Sequence, residues 1–127
     1  MKIEHAALWT GDLERMKAFY IRYFHAVSSQ KYTSSSKPFE SYFLTFDEGA
    51  RLELMQSPAV SERPGPEELR GYAHLAVSLG SKQAVRELTE TMRRDGVPVW
   101  SEPRTTGDGY YESVVLDPDG NRIELTV

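Results

Sequence analysis

An α+β fold of two tandem β-α-β-β-β modules, their mixed sheets cupped and their helices on the outer face, is what this sequence predicts. Three observations lead to it. Residues 42–55, Y-F-L-T-F-D-E-G-A-R-L-E-L-M, and residues 113–126, S-V-V-L-D-P-D-G-N-R-I-E-L-T, both read as strand, tight turn, strand, and aligning R-L-E-L with R-I-E-L puts Glu53 on Glu124. Upstream of each stretch a short strand carrying a histidine leads into a segment with helical periodicity. Between the copies, residues 57–70 (S-P-A-V-S-E-R-P-G-P-E-E-L-R) hold three prolines and one glycine and few apolar side chains, the composition of a linker. The chain is thus expected to be one domain over residues 1–127, with module 1 at 1–56 and module 2 at 71–127.

The elements follow in order. Residues 3–9 alternate, with Ile3, His5, Ala7 and Trp9 on one face and Glu4, Ala6 and Leu8 on the other, so a strand is expected. Asp12 after Gly11 suits a helix N-cap, because its carboxylate can accept from free first-turn amides. Leu13, Met16, Tyr20, Tyr23 and Phe24 then recur at helical spacing through residue 24, and His25 stands as a charge at the helix C-terminus. Residues 27–33, 39–46 and 50–56 read as three strands, with turns at 34–38 and 47–49. The second module restarts with a strand at 72–79, Ser81 as N-cap, and a helix over 82–94 whose Val85, Leu88 and Met92 point inward. Gly96 suits the left-handed position after that helix. Residues 97–100 form a short strand expected at a sheet edge because of Pro98, residues 104–109 a mobile loop, and 110–116 with 121–127 a closing hairpin about D-P-D-G.

Bulk properties narrow the function. A length of 127 residues and ordinary proportions of hydrophobic (39%) and charged (27%) residues fit a globular domain. The net charge of −4, with no basic run, argues against nucleic-acid binding. With no cysteine, disulfides, thiolate metal sites and cysteine nucleophiles are excluded. The N-terminus carries Lys2, Glu4 and His5 where a signal peptide needs an apolar run, and no stretch reaches the roughly 20 apolar residues of a membrane span. A cytoplasmic protein that uses neither nucleic acid nor membrane is expected.

Four polar residues stand at matching points of the repeat. His5 and His74 lie on the opening strands, Glu53 and Glu124 on the closing strands, all on the face away from the aliphatic residues that meet the helix. A single histidine or glutamate on a strand is more often structural or solvated than a ligand. Four of them, repeated in register, point to a site built of two half-sites. Two imidazoles and two carboxylates suit one divalent ion, Zn²⁺ or Ni²⁺, with positions open for water or substrate. Such an ion can polarise two adjacent oxygens while a loosely held glutamate moves a proton at the neighbouring carbon. Each histidine then needs a partner on its other ring nitrogen, which the sequence does not reveal.

The motifs I-E-H-A-A-L-W-T-G-D-L-E-R-M-K-A-F-Y, G-Y-A-H-L-A-V-S and L-D-P-D-G-N-R-I-E-L make the whole chain resemble the vicinal oxygen chelate superfamily, the glyoxalase/bleomycin-resistance/dioxygenase fold. The resemblance implies paired modules cupped around a metal held by His5, Glu53, His74 and Glu124. Extradiol dioxygenases of this superfamily resemble a two-His, one-Glu Fe(II) site, and antibiotic-binding members lack the ligands. The complete set is most similar to glyoxalase I, the lactoylglutathione lyase, which implies a metal-dependent lyase or isomerase with Glu124 as first candidate base and Glu53 as second. It also implies a homodimer with the active site at or near the subunit interface. One departure is Trp9, which stands where glyoxalase I of similar length tends to have an arginine that helps hold the glutathione carboxylate. The linker is more similar to those of small glyoxalase-like bacterial proteins. A non-catalytic antibiotic-binding protein and an Fe(II) extradiol-type dioxygenase are the alternatives.

Around the four, Arg51 and Arg122 each precede a glutamate by two residues, about 7 Å along a strand, and could bind a substrate carboxylate or balance the glutamates. Trp9, Phe43, Met55, Trp100, Tyr110 and Tyr111 are candidates for an apolar pocket lining.

Overall fold

The computed structural model describes residues 1–62 and 70–127, which carry two helices and nine strands. Residues 63–69 of the expected linker lie outside the described residues, and its first part, 57–62, contains no helix or strand. The chain divides into two compact units, Met1–Gly65 and Pro66–Val127.

In the first unit β1 (His5–Trp9) leads into α1 (Leu13–Phe24), followed by β2 (Val27–Ser28), β3 (Tyr32–Thr33), β4 (Glu40–Thr45) and β5 (Arg51–Gln56). The mixed sheet has the order β1-β5-β4-β2, with β3 also on β4; β1 runs parallel to β5 and the other pairs are antiparallel. Asp12 caps α1 as expected, accepting from the Arg15 amide at 2.9 Å. The helix buries Leu13, Met16, Phe19 and Tyr20 on one stripe, and the facing strands bury Tyr42, Leu44, Leu52 and Leu54. The Gln56 side chain, at the end of β5, accepts from the Leu13 amide at 3.2 Å and donates to the Gly11 carbonyl at 2.9 Å, tying strand to helix start. His25 takes a left-handed φ of 53° as the C-cap of α1, a conformation in which histidine is among the tolerated non-glycine residues.

The strand expected over 27–33 is two strands. Ser28 pairs with Leu44 but Tyr32 pairs with Ser41, so the register slips by one residue, a β-bulge. Ser29 causes it by bonding Phe43 twice, donating its amide to the Phe43 carbonyl at 2.8 Å and accepting the Phe43 amide on its hydroxyl at 3.0 Å.

The second unit runs β6 (His74–Ser78), α2 (Lys82–Arg94), β7 (Val99–Thr105), β8 (Tyr111–Leu116) and β9 (Arg122–Thr126), in sheet order β6-β9-β8-β7 with β6 parallel to β9. Ser81 caps α2, accepting from the Ala84 amide at 3.1 Å. Beyond Asp95, Gly96 takes a left-handed φ of 85° and Val97 donates back to the Met92 carbonyl at 2.9 Å. The buried stripe of α2 is Val85, Thr89 and Met92, with Leu88 only half-buried. Thr89 displaces Leu88 from the centre because its hydroxyl is fully satisfied there, donating to the Val85 carbonyl at 2.6 Å and bonding the Ser113 hydroxyl at 2.7 Å.

Two expectations shift here. The strand placed at 97–100 is β7, starting after Pro98 and running to Thr105. It is an edge strand, and Pro103 sits in it between the irregular pairings of Ser101 and Arg104. The mobile loop placed at 104–109 is therefore a hydrogen-bonded turn that begins only at Thr106, whose amide donates to the Tyr110 carbonyl at 2.8 Å.

Candidate functional site

The two modules build the same local geometry twice. In the first unit the parallel register sets His5 beside Arg51 and Ala7 beside Glu53, so His5 and Glu53 are diagonal neighbours on the face not covered by α1. In the second unit His74 lies beside Arg122 and Ala76 beside Glu124, the same offset. His5 Nε2 is 3.9 Å from the Glu53 carboxylate and His74 Nε2 is 3.5 Å from that of Glu124. Alternation along β5 and β9 causes this: Leu52 and Leu54, or Ile123 and Leu125, go into the helix-side core and force the intervening glutamate outward.

The surroundings of the pairs differ. In the first unit His5 Nδ1 lies 2.5 Å from the Glu4 carboxylate, so the other ring nitrogen has a partner. Glu4 is also gripped by the Arg51 guanidinium, and these two contacts hold its carboxyl below the usual carboxylate range. Arg51 thus pairs with Glu4, which the alternation had assigned to the helix side. Residue 4 lies just before β1, and its side chain reaches the Arg51 guanidinium. Phe43, opposite Glu53, meets His5 edge-on with centroids 5.4 Å apart and lies 4.3 Å from the Arg51 guanidinium.

In the second unit Ala73 stands at the position equivalent to Glu4, and Arg122 stacks 4.7 Å from the Trp100 ring. A residue that sequence reasoning passed over is Glu112. On β8 the inward Ser113 and Val115 leave Glu112 and Val114 on the site face, with Val114 opposite Glu124 and Glu112 one step further along. Burial and the negative charge of Glu124 push the Glu112 carboxyl up, and Arg104, 3.7 Å away, partly opposes them. Its signal in the sequence was its place two residues ahead of Val114 on the strand that pairs with β9.

Of the pocket candidates, Trp9 and Met55 are register partners on the His5 face, with Trp9 edge-on to Phe39 at 6.0 Å. Tyr110 lies exposed in the turn before β8. Tyr111 is on the other face, beneath α2, where Arg86 donates to its hydroxyl at 3.4 Å and the Lys82 ammonium sits 5.2 Å over its ring.

Within either unit the described residues bring together no group of three donors. Each unit instead offers one imidazole nitrogen and one carboxylate. That donor chemistry fits a borderline divalent ion, and one pair falls short of the three or four protein ligands such an ion takes.

The family model for the Glyoxalase/Bleomycin resistance protein/Dioxygenase superfamily matches residues 2–125. This chain belongs to that superfamily. Members similar to it include YwkD, an uncharacterized protein of Bacillus subtilis (strain 168), 30% identical over 97% of this chain and 94% of that protein. A lactoylglutathione lyase of Salmonella typhimurium is 30% identical over 98% of this chain and 91% of its own length. Among solved structures, the trypanothione-dependent glyoxalase I of Leishmania major superposes with a TM-score of 0.79 at 26% identity, covering 99% of this chain and 86% of that one. The α+β fold class of the superfamily is the one the repeat predicted, and no described helix is long and apolar enough to cross a membrane.

Proposed function

We propose that this superfamily member is a cytoplasmic, metal-dependent lyase or isomerase of the glyoxalase I type, acting on a small substrate with two adjacent oxygens. His5 and Glu53 from one module and His74 and Glu124 from the other hold one divalent ion, Zn²⁺ or Ni²⁺. The observation that carries this reading is the repeated His–Glu pair, 3.9 Å apart in one unit and 3.5 Å in the other, on equivalent strands in equivalent register. Similarity to a lactoylglutathione lyase supports it.

When bound, the ion supplies Lewis acidity toward the two substrate oxygens. The chain's own residues do the rest. Glu124 takes the proton from the carbon beside those oxygens and returns it to the neighbouring carbon, so one hydrogen shifts and neither oxidant nor reductant is needed. Its side chain is largely enclosed, 18% exposed, with Glu112 one step further along on the neighbouring strand of the same face. Glu53, 16% exposed, is the second candidate base. Trp9 and Met55 provide an apolar wall next to His5. Trp9 brings no charge for a glutathione carboxylate, so the assay below decides between glutathione and another thiol. The protein acts as a homodimer with the active site at or near the subunit interface.

Metal analysis of protein purified without added metal tests this. About one equivalent of Zn²⁺ or Ni²⁺ per site is expected, falling by tenfold or more in His74→Ala. Protein that binds no divalent ion overturns the reading, and redox-active iron with oxygen uptake replaces it by a dioxygenase. Assay of methylglyoxal with glutathione and with other thiols then identifies the substrate.

A further inference from the structure

We infer that Glu4 is a positioning residue for His5: its carboxylate fixes the imidazole as the Nδ1–H tautomer, so that the bare Nε2 is presented beside Glu53. The inference rests on the metal reading above where it concerns affinity, and on geometry alone where it concerns the tautomer.

A neutral imidazole carries its single proton on either nitrogen, and only the bare nitrogen can bind a cation. An isolated ring does not commit itself, so a strand histidine meant as an Nε2 ligand needs an acceptor at Nδ1. His5 has one, Glu4 Oε2 at 2.5 Å, while its Nε2 looks toward Glu53 at 3.9 Å, beyond hydrogen-bonding range. Glu4 is itself held. The Arg51 guanidinium bonds its Oε1 through both Nε and Nη2, and the Arg51 amide donates to the Glu4 carbonyl at 3.1 Å. Arg51 in turn lies over Phe43, which meets His5 edge-on. The chain of contacts Phe43–Arg51–Glu4–His5 closes on itself, so ring orientation and proton position are set together.

His74 provides an internal control. It has the same strand position and the same glutamate partner, but Ala73 precedes it and its neighbour Arg122 is directed at Trp100. Among the described residues the two half-sites are therefore unequal, and His5 is the one with an acceptor at Nδ1.

The experiment uses the full chain. Two-bond proton–nitrogen correlation spectra of the metal-free protein, at a pH where imidazoles are neutral, distinguish a protonated ring nitrogen from a bare one. Wild type should show His5 as the Nδ1–H form. Glu4→Ala should move it toward Nε2–H, Glu4→Asp should retain part of the Nδ1–H population, and His74 should not change in any variant. In parallel, competition for Zn²⁺ against a chromophoric chelator should show Glu4→Ala binding about tenfold or more weakly than wild type, with Glu4→Asp between them. A His5 tautomer unchanged in Glu4→Ala, or a Zn²⁺ affinity within twofold of wild type, overturns the role of Glu4. Wild-type protein that binds neither Zn²⁺ nor Ni²⁺ overturns the metal reading itself, and the two failures are told apart because the tautomer is read without metal.

Discussion

Glu14 shows how neighbours far away in sequence decide the behaviour of one side chain. It sits in the first turn of α1, where negative charge suits the helix dipole. Lys17 one turn on (2.7 Å), Lys31 from the β2–β3 connection (2.9 Å) and the Tyr42 hydroxyl from β4 (2.9 Å) all converge on it. Hydrogen bonds from Lys17, then Lys31, then Tyr42 lower its pKa from 4.5 to about 2. The folded state thus binds this proton less readily than the unfolded chain. Its stabilisation is complete above pH 4.5 and is lost as pH falls toward about 2. Glu14→Gln should flatten the acid limb of a stability-against-pH curve in that window, measured by urea midpoints. Since the group is largely exposed, about 0.5 M salt should shrink the difference. Of these contacts only the Lys17 spacing was legible in the sequence. Tyr42 and Lys31 reach Glu14 because the bulge at Ser29 and the packing of α1 on β4 bring them there.

At the scale of an element, the β8–β9 hairpin carries Glu124, and its turn is organised by Asp117, 4% exposed. Asp117 Oδ1 accepts the amides of Asp119 at 3.0 Å and Asn121 at 2.8 Å, and Oδ2 accepts the Asn121 side-chain amide at 2.8 Å. Gly120 closes the turn at a left-handed φ of 80°, donating to the Asp117 carbonyl at 2.9 Å. Replacing Asp117 by Ala should leave these part-buried donors without their acceptor and cost about 1 kcal/mol in urea denaturation. The same variant should loosen metal binding, because strand register sets which face Glu124 presents. The D-P-D-G-N run announced this turn from sequence, whereas β7 was misplaced. A strand containing Pro103 scores poorly by propensity and survives only because one side of an edge strand needs no ladder bonds.

The whole molecule is a repeat whose two copies are equivalent in topology and unequal in detail, with Glu4 supporting one histidine and Glu112 flanking one glutamate. If a homodimer shares its sites, each is completed by module 1 of one subunit and module 2 of the other. Light scattering should then give twice the 14.4 kDa chain mass. Mixing His5→Ala with His74→Ala and allowing subunits to exchange should restore about a quarter of wild-type metal content, since half the dimers are mixed and one site in each is intact. A site confined to one chain gives no complementation at all.

Sequence by itself determined the fold class, the repeat, both helices with their N-caps, and the strand faces on which His5, Glu53, His74 and Glu124 stand. All of these follow from local periodicity and from an alignment of the chain with itself. Only the tertiary structure decided what surrounds them. The parallel register of β1 on β5 put Arg51 within reach of Glu4 and offset each histidine diagonally from its glutamate. Antiparallel pairing of β8 with β9 brought Glu112 toward Glu124, and the face of β8 took Tyr111 under α2. Such contacts join residues from separate elements through strand pairing and helix packing, and no local pattern records a pairing register.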